Sequence, residues 1–172
     1  MVKLVGSILV VGGCVGLGGW YRGQFIGRLK QLRILITILD LMISEVRYSK
    51  SSLPECCRQL SGRLPEPYGN SFFKVWEETQ ENSGEGYRDI FVRNLKRCME
   101  QVPLGAEEKK LFLEVSGQFG YEEARMQINS MEQCKEQLKN ICGGLEKEVG
   151  EKGRMAMGLG TLGGLLLIIV LL

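Results

Sequence analysis

The chain has 172 residues, with 22 basic side chains, 20 acidic ones and no histidine. That length suits one domain with attachments, and the near balance of charge excludes the clustered basic footprint that nucleic-acid phosphate requires. Without histidine the chain lacks the side chain that most often does acid–base work near neutral pH, which is also the commonest metal ligand.

The first element is an apolar, glycine-rich run from Leu4 to Trp20, closed by Trp20, Tyr21 and Arg22. An aromatic pair followed by a basic residue suits a membrane interface, and the run is read as an uncleaved span over residues 1–21. A competing reading is an exported lipoprotein cleaved before Cys14, since Val11-Gly12-Gly13-Cys14 resembles a cleavage box. Against it, the apolar part before Cys14 is very brief.

The middle, residues 22–153, is helical in pattern throughout. Phe25, Leu29, Leu32, Ile36, Leu39, Ile43 and Val46 recur at steps of four and three, the period of a helix seam. Ile34, Leu35, Ile38, Leu41 and Met42 widen that face, while Arg33, Thr37, Asp40, Ser44 and Arg47 form a polar stripe. Tyr48 to Ser51 ends this helix. Ser52-Leu53-Pro54-Glu55 reads as a capping box opening a second, short helix to about Leu64. Pro65 to Gly69 reads as a turn. A third helix, about Asn70 to Asn82, is expected to bury Phe72, Phe73, Val75 and Trp76. A fourth, Tyr87 to Gln101, turns Ile90, Phe91, Leu95 and Cys98 inward, and a fifth runs to about Gly117 on Leu111, Phe112 and Val115. The sixth starts near Tyr121 and carries Ala124, Ile128, Met131, Cys134, Leu138, Ile141, Leu145 and Val149, with Gly143-Gly144 as a soft point.

Residues 154–172 form the last element. From Met155 to Leu172 there is no charge, and as a helix this stretch is about 27 Å long, close to the hydrocarbon thickness of a bilayer. Arg22, Arg28, Lys30 and Arg33 follow the first span and Lys147, Lys152 and Arg154 precede the second, so the positive-inside bias places the middle in the cytoplasm. The expected architecture is all-α: a cytoplasmic six-helix antiparallel bundle with an N-terminal and a C-terminal transmembrane helix.

No motif carries chemistry. Gly158-Leu159-Gly160-Thr161-Leu162-Gly163 has the letters of a dinucleotide fingerprint but no strand before it. Ala156, Gly160 and Gly164, and likewise Gly12 and Gly16, repeat every four residues. They form small-residue faces for helix packing, or reflect the ordinary abundance of glycine in membrane helices. Glu77 with Glu78, and Glu107 with Glu108, point about 100° apart on a helix and read as solvated faces. The cysteines Cys14, Cys56, Cys57, Cys98, Cys134 and Cys142 lack C-x-x-C spacing and read as reduced, small hydrophobes, with one thiol of Cys56-Cys57 buried and one half-exposed. No catalytic, metal or cofactor site, no nucleic-acid partner and no small-molecule substrate is expected. Exposed candidates for docking are the acidic run Glu77, Glu78 and Glu81 and the polar stripe of the first helix.

The two ends of the chain carry a resemblance. A short glycine-rich span leads to a helix ending Leu39-Asp40-Leu41-Met42-Ile43-Ser44-Glu45-Val46-Arg47-Tyr48 and a Ser-Ser-Leu-Pro-Glu cap. Phe119-Gly120-Tyr121-Glu122-Glu123-Ala124-Arg125-Met126-Gln127 and a Gly-Leu-Gly-Thr-Leu-Gly-Gly anchor follow. This is similar to the stage III sporulation protein AB family of endospore-forming bacteria, with Glu45, Tyr48, Leu53, Gly120, Glu123 and Gln127 at family-motif positions. The chain departs from the family at Ser51-Ser52-Leu53, at Glu123 and at Ile43. The resemblance implies a component of the sporulation channel between mother cell and forespore, seated in the mother-cell membrane. It implies a soluble part like the six-helix domains of type II secretion and type IV pilus platform proteins. Its partners would be other channel subunits, a secretion-type ATPase and the lipid bilayer. A general membrane-tethered helical adaptor is the alternative.

Overall fold

The computed structural model of the protein describes residues 23, 25–49, 52–81, 84–116 and 124–171, with 49, 116, 124 and 151–171 described by backbone alone. Leu32, Leu35, Ile38, Leu39 and Met42, spaced at threes and fours along the first helix, are sealed from solvent. That helix, α1, covers 25–44 and passes into a π-helical turn, Glu45–Ser49. After it come α2 (Leu53–Ser61), α3 (Tyr68–Gln80), α4 (Tyr87–Glu100), α5 (Ala106–Ser116) and α6 (Ala124–Leu171). Six α-helices and no strand therefore stand among the described residues, as the all-α bundle expected from the sequence requires.

One core joins all six. Leu60 of α2, Phe72 and Val75 of α3, Phe91 and Leu95 of α4, Phe112 of α5, and Met131 and Leu138 of α6 close around the apolar face of α1. Phe72 and Phe91 meet edge to face at 5.8 Å and 80°, an orientation that aromatic rings favour. Consecutive helices from α2 to α6 pack on one another, as short connections dictate. α6 runs without a break through Gly143 and Gly144, where a methyl would meet nothing within 4 Å. The expected soft point is a continuous helix.

Several boundaries differ from the sequence reading, each for a local reason. Ser52 sits at the N-cap of α2 with extended backbone, but its side chain makes no capping bond. Glu55 instead turns to Arg58, which donates to it at 2.6 and 2.9 Å, so the expected capping box is replaced by an ion pair one turn on. α3 begins two residues before Asn70, because Tyr68 and Gly69 are buried rather than turned outward. A methyl on Gly69 would lie 2.8 Å from the Ser61 carbonyl and 2.9 Å from that of Leu64, so glycine lets α3 start against the end of α2. Of the four large side chains expected inside α3, Phe72 and Val75 are buried. Trp76 is partly covered and Phe73 is 42 % exposed.

Among the described residues no helix is long and apolar enough to cross a membrane. The first expected span lies outside the described residues. The second lies where only the backbone is described, and there α6 stays helical through Leu171. Gly12, Gly16, Gly120, Glu123 and Cys14 lie outside the described residues, and so do the side chains of Ala156, Gly160 and Gly164.

Candidate functional site

Basic and acidic side chains of α1 and α6 interlock along the seam between them. Arg33 Nη2 donates to Glu146 at 2.6 Å, Lys135 Nζ to Asp40 at 2.8 Å, and Arg47 Nη2 to Glu132 at 2.6 Å. As the number rises along α1 it falls along α6, so the two helices are antiparallel and in register. The polar stripe expected to be a free docking surface is thus turned toward α6 by Arg33, Asp40 and Arg47, while Thr37 bonds back to the Arg33 carbonyl. Glu146 is held below the usual carboxylate range, first by its hydrogen bond from Arg33.

Of the acidic run, Glu78 alone is drawn into the bundle. Glu78 is engaged by Arg93 at 2.7 Å and by the buried Asn94 at 3.0 Å, and Arg93 also reaches Glu85 at 2.5 Å, tying α3 to the start of α4. Burial alone would raise the Glu78 pKa, but the bonds from Arg93 and Asn94 and the charges of Arg93 and Arg97 outweigh it and leave it lowered. Glu77 and Glu81 remain exposed. Glu107 is exposed as expected, but Glu108 is completely buried and takes two bonds from Arg28 on its Oε1, from Nε at 2.8 Å and Nη2 at 2.5 Å. Its Oε2 has no hydrogen-bond partner in the structure.

A sequence signal for this buried carboxylate exists. Glu108 and Phe112 stand four residues apart on the buried side of α5, so Glu108 occupies a core position. Beside it, a methyl on Gly105 would overlap Glu108 Oε2 and approach Arg28 Nη2 to 2.7 Å. Arg28, Gly105 and Glu108 together pin the start of α1 to the start of α5.

The cysteines behave as small core residues. Cys56 and Cys57 are both fully buried, not one in and one half-out, because both lie on the inward face of α2. Burial pushes the Cys56 thiol up to about 12 and that of Cys134 up to about 11, and raises Cys57 further still. Cys57 Sγ contacts the Tyr87 hydroxyl at 3.3 Å. Among the described residues no group of three or more Cys, Asp or Glu lies together as a metal site would demand.

The family-motif positions that are described gather at one end. Glu45 and Tyr48 stand in the π-helical turn, Leu53 opens α2, and Gln127 lies buried in the first turn of α6. Arg63 approaches Glu45 at 3.6 Å, and Arg47 closes on Glu132 beside them. Two large apolar side chains are left facing water here: Tyr48, 77 % exposed, and Met126, 54 % exposed. Sequence reasoning named Tyr48 but missed Met126, whose only signal is its place outside the apolar seam of α6. π-helical turns recur at functional sites because they push side chains out of the regular helical repeat. By the α1–α6 register, this end is opposite the one where α6 enters its uncharged run.

Two grooves open on the surface of the described residues. One, of 610 Å³, runs along the outer side of α1 under the α2–α3 connection. Ile26, Ile34, Leu41 and Leu64 line its floor, and Lys30, Arg33 and Arg63 stand at its rim. The other, of 850 Å³, lies between α4 and α5 and carries charges of both signs, so it selects no partner by charge.

Comparison with known proteins agrees with this architecture. The family model described as stage III sporulation protein AB matches residues 3–172. Stage III sporulation protein AB of Bacillus subtilis (strain 168) is 21 % identical over 172 residues, covering 100 % of both chains. A solved structure of a stage III sporulation protein AB superposes with a TM-score of 0.64 at 17 % identity, over 72 % of this chain and 97 % of that one. The chain therefore belongs to the stage III sporulation protein AB family.

Proposed function

We propose that the sporulation role of this family is exercised here as a non-catalytic membrane platform. In this reading the bundle stands on the cytoplasmic side of the mother-cell membrane, held by spans at both ends of the chain. Its far end docks a secretion-type ATPase, and the spans pack with other channel subunits. The observation that carries the docking site is the exposed pair Tyr48 and Met126, on and beside a π-helical turn at the end remote from the apolar tail. Large aromatic and methionine side chains left in water at one end of a well-packed bundle are the composition of an interface core. Support for anchoring comes from the unbroken helicity of α6 through Leu171, since a segment in hydrocarbon must satisfy its backbone internally. The antiparallel register adds to it by bringing the start of α1 to the same end of the bundle as that tail.

The test is co-purification from sporulating cells, after mild crosslinking, of the full-length chain with the cognate secretion-type ATPase. Tyr48→Ala with Met126→Ser is expected to lower recovery of the ATPase about tenfold, the scale of an interface anchor, with the melting temperature unchanged. Undiminished recovery would overturn the docking site, and absence of the ATPase from the unaltered chain would overturn the partner.

A further inference from the structure

The groove along α1 and the outer face of α3 have opposite character. In the groove, Lys30 has no carboxylate partner among the described residues, Arg33 at the rim is paired with Glu146, Arg63 lies only loosely against Glu45 at 3.6 Å, and Ile26 is 51 % exposed. On α3, Phe73 and Trp76 meet at a tilt, ring centroids 5.5 Å and planes 46° apart, and Glu77 and, just past the helix end, Glu81 stand exposed one and two turns on from Phe73. No α3 residue lines the groove. The Tyr68 hydroxyl donates to Gln31 at 3.1 Å, so α3 starts beside the part of α1 that holds Lys30 and Arg33. An apolar strip with Lys30, unpaired among the described residues, at its edge and an aromatic pair with an acidic flank complement each other in apolar character and charge.

We propose that the groove of one copy receives α3 of a second copy, with Phe73 and Trp76 on the apolar floor and Glu77 and Glu81 opposite Lys30 and Arg63. The interface is heterologous, using different patches on the two partners, so repetition generates a ring or an open row rather than a closed two-fold dimer. This assembly does not depend on docking at the Tyr48 end.

The experiment uses full-length chains in native membranes, two differently tagged copies being expressed together and oxidised briefly. One copy carries Thr37→Cys in the groove and the other Gln80→Cys on α3, one turn beyond Trp76 and Glu77, both at exposed positions where substitution leaves the core and the proposed anchors intact. The expected result is a disulfide joining the two tags, and none in membranes holding either variant alone. Lys30→Glu in the first copy lowers the yield by up to about fivefold, the range of an exposed ion pair, and Glu77→Lys in the second restores it. Absence of the mixed-tag product, or an equal product from Thr37→Cys alone, would overturn the proposal. A crosslink from Thr37→Cys to a different protein only would also overturn it.

Discussion

Arg28 and Glu108 make the costliest polar contact of the bundle to disturb, because Glu108 is wholly enclosed while Arg28 keeps about a third of its side chain in water. Arg28→Ala leaves a carboxylate buried without its cation and is expected to cost about 3 kcal/mol. Adding Glu108→Leu recovers most of that loss by removing the stranded charge. Denaturant unfolding of the two variants in detergent checks both parts. Gly69→Ala forces a methyl against two carbonyls and is expected to cost about 1–3 kcal/mol by the same assay. At neutral pH a thiol reagent should leave Cys56, Cys57, Cys98 and Cys134 unmodified in the folded chain and modify all of them after denaturation, as mass spectrometry would read. At this scale the sequence was legible where a residue followed the apolar period, as with Leu32, Phe91 and Leu138. It was misleading where a carboxylate took a seam position. Adjacency of Glu107 and Glu108 suggested two solvated acids, whereas the four-residue step from Glu108 to Phe112 decided that one of them is interior.

The pairing of α1 with α6 rests on an apolar face reinforced by three exposed ion pairs. Such pairs each contribute little to stability but set register and orientation. Glu146 has a folded pKa lowered by Arg33, so its contribution is present above the unfolded carboxylate range and is lost as pH falls through the folded value. The melting-temperature difference between the unaltered chain and Glu146→Gln should therefore shrink below about pH 4, and shrink also in high salt. Six helical segments were legible from the three-and-four spacing of apolar residues and from the Pro and Gly breaks between them. The partner of the polar stripe was not legible, because a stripe of charge looks the same whether it faces water or an oppositely charged helix. Only the antiparallel register of Arg33 with Glu146 and Arg47 with Glu132 assigns it.

For the whole molecule, the decisive feature is polarity along its length. One end holds the start of α1 and the place where α6 turns uniformly apolar; the other holds Tyr48, Met126 and the buried Gln127. The uncharged tail was plain in the sequence from composition alone, but the exposed end was not, since exposure of Tyr48 depends on a π-helical turn that no periodicity announces. The native cysteines of the bundle are too deeply buried to report which compartment holds it, so an introduced thiol is needed. The most direct measurement is labelling of Tyr48→Cys by a membrane-impermeant maleimide in sealed vesicles of both orientations, prepared from sporulating cells. Labelling confined to inside-out vesicles, with the chain retained in the membrane after an alkaline wash, is the predicted result. Labelling from the outer face, or release of the full-length chain into the wash, would contradict a cytoplasmic platform anchored in the bilayer.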